Sequence, residues 1–292
     1  MSNIQLIIEE RAASIGHFMV GRLLPFRQKR SVGPFVFIDH MGPVQLKARE
    51  ALDVLPHPHI GLSTLTFLFD GAIMHRDSLG SELEIQPGAV NWMTAGRGVV
   101  HSERTPEALR ETETVLHGLQ IWVALPTHLE EMEPSFTHIP AANIPTWEEH
   151  GLSFKLIAGA FRGHQSPVPT YSPLYFIEIK CHQTQKLDLG EHLFGESALY
   201  ILEGSIVDDG HAFGPKQILI AQEATLCSFD VTAGSTLYIF GGEPFPEPRY
   251  IDWNFVSSRK ERLKQAKEDW IARRFPEIPG ETGFVPYPGT GA

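Results

Sequence analysis

The sequence predicts an all-β protein: two β domains joined by a proline-rich stretch, followed by one helix. Three observations lead there. Short runs of β-branched and aromatic residues recur along the 292 residues. Gly and Pro together make up about one residue in six, above the usual share of roughly 12%, and so supply many turns. A short segment of the first half returns in the second. At about 150 residues per domain, the length fits roughly two domains.

The strand-like runs are Phe35–Ile38, Leu62–Phe69, Leu119–Val123, Phe154–Ala158, Leu174–Lys180, Leu199–Leu202 and Thr236–Phe240. Gly, Pro, Asp or Ser separate them, as in a β-sandwich or barrel. Between Val123 and Phe154 stand Pro126, Pro134, Pro140 and Pro145, with Glu130, Glu131 and Glu133 among them. This stretch reads as a linker; the competing reading, one long loop within a domain, is uncommon in compact folds. The repeat is Phe67-Leu-Phe-Asp-Gly-Ala-Ile73 against Tyr200-Ile-Leu-Glu-Gly-Ser-Ile206, a strand, an acidic residue, a glycine turn and another strand. Near the C-terminus, Ser258 and Glu261 form a capping-box pattern. Leu263, Ala266, Trp270 and Ile271 then fall on one helical face, which is expected to pack on a β domain with the basic residues in water. A basic amphipathic helix can instead bind a partner or membrane. The expected division is residues 1–135, 136–250 and 251–292.

The charge excludes some functions. Lys and Arg number 24 against 35 Asp and Glu, a net charge of −11. A nucleic-acid binder needs a basic face to displace counterions, and anionic lipid needs the same. The small basic patch Arg27, Lys29 and Arg30 is expected to be solvated. The two cysteines, Cys181 and Cys227, are too few for a disulfide scaffold and read as small core residues. Apolar stretches are strand-sized, not membrane-sized. The first ten residues show no basic region followed by an apolar one, so the expectation is a cytoplasmic protein. Gly96-Arg-Gly98 lacks the phosphate-loop spacing, and no Gly-x-Ser-x-Gly nucleophile pattern occurs.

The chemistry concentrates in Pro56-His57-Pro58-His59, which leads into a strand. Alternation points His57 and His59 the same way. His101 and Glu103 repeat that spacing about forty residues on. Two extended segments, each offering two ligands to one face, can converge on one ion. A lone pair of strand histidines is more often structural, but two matched pairs are harder to dismiss. Three imidazoles and a carboxylate without thiolate suit redox-active iron or manganese, with copper, nickel and zinc open. His75 and Asp77 form a rival pair, although Asp77-Ser-Leu-Gly80 also reads as a turn. Shifting by the repeat offset places Gly190 and His192 opposite His57 and His59, with only Glu223 near the counterpart of the His101 pair. One metal per chain is therefore expected, in the first half.

These residues also resemble a known family. His57-Pro-His-Ile-Gly61, Gly71, His75-Arg-Asp-Ser-Leu-Gly80, Trp92-Met-Thr-Ala-Gly-Arg-Gly98 and His101-Ser-Glu103 are similar to the core pattern of the pirins, members of the cupin superfamily. Val32-Gly-Pro-Phe35, Asp39-His-Met-Gly-Pro43 and Asp252-Trp-Asn-Phe255 fit the same pattern. The resemblance implies a bicupin of two antiparallel β-barrels with metal only in the first. It implies the ligands His57, His59, His101 and Glu103, with iron as the usual ion. Two roles follow from it. One is a quercetin 2,3-dioxygenase-like enzyme that opens a flavonol with dioxygen and releases carbon monoxide, Glu103 acting as the base. The other is a metal-dependent, redox-sensing regulator that binds a protein partner. A cupin-type sugar isomerase or small-molecule store is a third reading. Phe35, Phe37 and Trp92 are candidates to line the pocket, with core packing as the competing role.

Overall fold

The computed structural model describes residues 2–15 and 18–290. The described chain is β throughout except for short 3-10 turns and one α-helix, Lys260–Ile271. Every strand-like run expected from the sequence lies in a strand. The run Leu62–Phe69 shows why. Its strand, Leu62–Asp70, sits between Val90–Thr94 and Thr114–Ala124 and is buried along nearly its whole length. A strand covered on both faces shows no alternation between apolar and charged residues; here its polar positions, Ser63, Thr64 and Thr66, are small and buried.

The chain divides into two compact units. The histidine unit comprises Ala12–Val20, Asp39–Ala141 and Pro246–Ala292; the sister unit comprises Met1–Arg11, Gly21–Ile38 and Ala142–Phe245. The division at 135 and 250 drawn from the sequence is simpler than this. The first strand, Ile4–Glu9, pairs antiparallel with Gln217–Ala221 in the sister unit. The last segment, with its helix, returns to the histidine unit. Local patterns carry no information on which distant strand a given strand will join.

Each unit is built from antiparallel sheets that do not close into a continuous barrel, an arrangement that fits the expected all-β fold of two barrel-like units. In the sister unit the core lies between a sheet that includes Leu174–Cys181, Glu196–Glu203 and Thr236–Gly242 and a smaller one of Gln185–Asp188, Ser228–Val231, Ile206–Asp208 and His211–Phe213. Leu156, Ile177, Leu199 and Ile239 from the first meet Leu187, Ile206 and Val231 from the second. In the histidine unit, Leu68 and Leu116 of the larger sheet meet Ile73 and Ile85 of a four-stranded one. That smaller sheet runs Val54–His59, Val99–Arg104, Ile73–Asp77 and Glu82–Ile85. Its edge strand carries Pro56 and Pro58. Proline has no N–H to donate, so this edge suits it and the sheet stops there.

The repeat is visible in the backbone. Gly71 follows Leu62–Asp70 with φ +82°, and Gly204 follows Glu196–Glu203 with φ +77°. The proline-rich middle is ordered rather than a plain linker. Ser135–Ile139 pairs with Val90–Thr94, and Thr146–Glu149 pairs with Leu152–Phe161.

The helix packs as expected through Leu263, Ala266 and Trp270, which meet Ile60, Val100 and Phe255. Two details differ. Ile271 is half exposed rather than buried. The capping box does not form: the residue before the helix is Arg259, with no side-chain cap, and the Ser258 hydroxyl bonds Glu130 instead. Among the described residues no helix is long and apolar enough to cross a membrane.

Candidate metal centre

His57 and His59 alternate along Val54–His59, and His101 lies directly opposite His57 on Val99–Arg104. Period-two geometry turns all three rings to one side of the sheet. Their ligand atoms lie within 4.8 Å of one another, all buried. The Nε2 atoms of His59 and His101 are 3.1 Å apart. Trp122 stands edge-on against His59, ring centroids 5.2 Å apart.

The outer nitrogens decide the tautomers. His57 Nδ1 donates to the Leu55 carbonyl at 2.9 Å, and His59 Nδ1 donates to the Asn254 carbonyl at 3.2 Å. A carbonyl only accepts, so both rings carry the proton on Nδ1 and keep the Nε2 lone pair. His59 Nε2 therefore faces His101 Nε2 as an acceptor. Without a cation, His101 Nε2 must carry the proton. Its buried Nδ1, which has no hydrogen-bond partner, then holds an unused lone pair. A divalent cation removes the conflict between the two Nε2 atoms, because all three Nε2 atoms can donate lone pairs to it; His101 then carries its proton on Nδ1, without the outward bond that His57 and His59 make. Outward Nδ1–H bonds of this kind are the usual support of metal-ligating histidines.

Glu103 shares the strand and the side of His101 but stands outside the 4.8 Å group. The register to the edge strand shifts here: His101 aligns with His57 whereas Glu103 aligns with Val54, so the extra residue lies in the edge strand. Glu103 lies opposite His75 in the other neighbouring strand. Its Oε1 is 3.4 Å from the Thr66 hydroxyl, which also reaches Gln120 Oε1 at 3.0 Å. Burial raises the Glu103 carboxyl above the ordinary carboxylate range; the charge of His75 and the Thr66 hydroxyl oppose this.

The rival pair is accounted for otherwise. His75 Nε2 bonds Asp77 Oδ2 at 3.0 Å, and Asp77 Oδ1 accepts from the backbone of Leu79 and Ser81 in the expected turn. His75 also stacks on Phe136, centroids 4.3 Å apart. Trp92 is buried, with its Nε1 donating to Thr94. Phe35 packs on Phe176 and Phe240 within the sister unit, and Phe37 lies under Arg22. All three take the packing role. Lys29 is not simply solvated, since it pairs with Glu196 at 2.5 Å. In the sister unit, Gly190–His192 is a 3-10 turn rather than a strand. A Cβ at Gly190 would collide with the Thr225 carbonyl, so the position equivalent to His57 has no room for a side chain. Among the described residues, His57, His59 and His101 form the one such group. Sequence reasoning missed Thr66, Gln120 and the Asn254 carbonyl. A backbone acceptor leaves no side-chain signal.

Burial lowers all three imidazole pKa values. His57 falls from 6.5 to about 4: desolvation lowers it, the Leu55 bond resists and His75 adds to the fall. His59 and His101 are also lowered well below the ordinary value, through desolvation first and then repulsion from their neighbours. In metal-free protein an unfolded histidine takes up a proton below pH 6.5, while folded His57 waits until about 4. Its contribution is neutral above 6.5 and grows destabilising as pH falls through that window. At about 1.36 kcal/mol per pH unit, His57 alone withdraws roughly 3 kcal/mol by pH 4. Chelator-treated protein is thus expected to lose stability steadily from pH 6.5 downward in urea unfolding, with a shallower loss in His57→Ala. A flat profile over that range would contradict the buried neutral cluster.

The chain is also similar to proteins already known. Residues 17–123 match the Pirin family, and residues 176–276 match the Pirin C-terminal cupin domain. A pirin-like protein of Caulobacter vibrioides is 46% identical over 291 residues, 98% of this chain and 99% of that one. A crystal structure described as quercetin 2,3-dioxygenase from Acinetobacter baumannii superposes with a TM-score of 0.88 at 37% identity, over 98% of this chain and 95% of that one. A second structure of that description, from the same organism, gives 0.86 at 27% identity, over 95% and 99%. The two matched regions and the near full-length likeness lead to one conclusion: this chain belongs to the pirin family.

Proposed function

We propose that this protein is a metal-dependent dioxygenase that opens a flavonol such as quercetin with dioxygen and releases carbon monoxide. The observation that carries the reading is the convergence of three buried imidazoles, their ligand nitrogens within 4.8 Å of one another, with a mostly buried carboxylate two residues from one of them. The two Acinetobacter structures described as quercetin 2,3-dioxygenase support the substrate class. In this reading His57, His59 and His101 hold one divalent ion per chain, with Glu103 as the fourth ligand. Iron is the proposed ion, since an all-imidazole and carboxylate set without thiolate suits it. When bound, the metal supplies Lewis acidity toward the substrate hydroxyl and redox chemistry toward dioxygen.

The chain's own residues do the rest. Burial holds the Glu103 carboxyl at a raised pKa, closer to what a base working near neutral pH needs. Glu103 takes the proton of the flavonol 3-hydroxyl. The Thr66 hydroxyl, whose single proton is shared between Glu103 and Gln120 Oε1, orients the carboxylate. Trp122 and the sheet keep the imidazoles in fixed orientations.

Iron-loaded protein is expected to consume oxygen and release carbon monoxide only when quercetin is present. Glu103→Ala should cut the rate by about 10²–10⁴-fold, the usual contribution of a general base. No uptake by protein shown to hold one metal per chain would overturn the reading and redirect the search to a protein partner.

A further inference from the structure

We infer that the C-terminal segment from Tyr250 to Val285 is a clamp on the metal-bearing strands, with Glu281 as a positioning residue. The inference rests on the metal reading above. It concerns which parts of the chain set the ligand geometry.

Four contacts fasten this segment to the ligand strands from outside. The Asn254 carbonyl accepts the His59 Nδ1 proton. Val256 N donates to the Ile60 carbonyl at 3.2 Å, and Val285 N donates to the Pro56 carbonyl at 2.9 Å. Glu281 accepts from Ser102 Oγ at 2.6 Å and from Arg104 Nε at 3.1 Å. The residues held are immediate chain neighbours of the proposed ligands: Pro56 of His57, Ile60 of His59, Ser102 of both His101 and Glu103. Alternation turns Ser102 and Arg104 outward as it turns His101 and Glu103 inward. Fixing the outer pair therefore fixes the inner pair.

The hairpin shows that the approach is built, not incidental. Tyr250–Asp252 and Phe255–Ser257 are joined by Trp253 and Asn254. Trp253 has φ +54°, a left-handed conformation that bulky residues seldom adopt. Rings of Phe255, Trp270 and Tyr287 surround it and hold it there. This turn presents the Asn254 carbonyl to His59. On the facing side Gly61, with φ +68°, is the residue that lets the hairpin in, because a Cβ there would collide with the Val256 carbonyl. Glu281 is itself well fixed. Its side chain is 6% exposed, and Arg104 and Arg76 hold its carboxyl below the usual range against the opposing effect of burial.

The test is cobalt titration of metal-free, full-length protein, with the visible spectrum as readout. Wild type is expected to bind one cobalt per chain. Glu281→Ala should remain folded, bind cobalt about tenfold more weakly and shift the absorption bands, since outer-sphere partners of ligands are typically worth 10–100-fold. Ser102→Ala, a loss of one oxygen, should move both readouts in the same direction. Glu281→Gln, which keeps an acceptor for Ser102, should recover part of the affinity. Glu131→Ala breaks the Arg262 ion pair that anchors the same segment away from the ligand strands. It should alter stability but neither affinity nor spectrum. If Glu281→Ala and Ser102→Ala both match wild type, the clamp is overturned and the metal reading stands. If wild type takes up no cobalt, the metal reading itself falls.

Discussion

Replacing His101 by Ala is expected to lower metal affinity by more than about a hundredfold while barely changing the metal-free protein. Outer-sphere partners alone are worth 10–100-fold, and His101 is a direct ligand in the proposed set. It is also the ring that closes the cluster, opposite His57 and 3.1 Å from His59 through Nε2. The effect on the metal-free fold has the other sign of interest. His101 buries an Nδ1 with no hydrogen-bond partner, a standing penalty that the substitution removes. That gain offsets the cost of the cavity and of the lost bond to His59 Nε2. Thermal melts should therefore show nearly equal midpoints without metal. Added metal should raise the wild-type midpoint and leave the variant where it was. A hundredfold loss of affinity corresponds to about 2.7 kcal/mol of forgone stabilisation at saturating metal. A variant that still gains a wild-type increment from metal would show that His101 is not a ligand.

The histidines were legible in the sequence because alternation along a strand is local. His57 and His59 declare a shared face by spacing alone, and His101 with Glu103 repeats the statement. What spacing could not convey was the register shift opposite His101 and Glu103, or that the carboxylate stands outside the group of ligand atoms. The β class and the glycine turns after Asp70 and Glu203 were legible for the same local reason. The partners of strands were not. Ile4–Glu9 joins Gln217–Ala221 across two hundred residues of chain, and no pattern in either announces the other. The Asn254 carbonyl reaches His59 across 195 positions with no side chain to mark it. The capping box failed for a different reason. Ser258 and Glu261 satisfy the local pattern, but the buried carboxylate of Glu130 offers Ser258 a charged acceptor, and charge-assisted bonds outcompete neutral ones.

Glu130→Ala is expected to destabilise the protein by about 3 kcal/mol, at the low end of the 3–5 kcal/mol that breaking a buried ion pair costs. In the sequence Glu130 is one acid among several in a proline-rich stretch. In the fold it is 2% exposed. It accepts from Ser257 Oγ at 2.8 Å, Ser258 N at 2.8 Å and Ser258 Oγ at 3.2 Å. It also pairs with Arg249 Nε at 3.2 Å, where Arg249 is 4% exposed in its side chain. Removing the carboxylate takes from the buried Arg249 guanidinium its nearer carboxylate partner. Arg249 keeps the Leu125 carbonyl, the Thr127 hydroxyl and the more exposed Glu247 at 3.8 Å, which is why the lower figure applies. Urea unfolding measures the loss. Hydrogen exchange should place it, with amides from Ser258 through the helix exchanging faster than those of the sister unit. Glu130→Gln keeps one acceptor oxygen, enough for the Ser257 and Ser258 hydroxyls that share Oε2, but drops the charge and the acceptor of Ser258 N, so roughly half the loss is expected. The decisive variant is Glu130→Ala with Arg249→Met. If the cost comes from an uncompensated buried charge, the double change should recover stability relative to Glu130→Ala alone. If it comes from the lost bonds to Ser257 and Ser258, the second substitution should recover nothing.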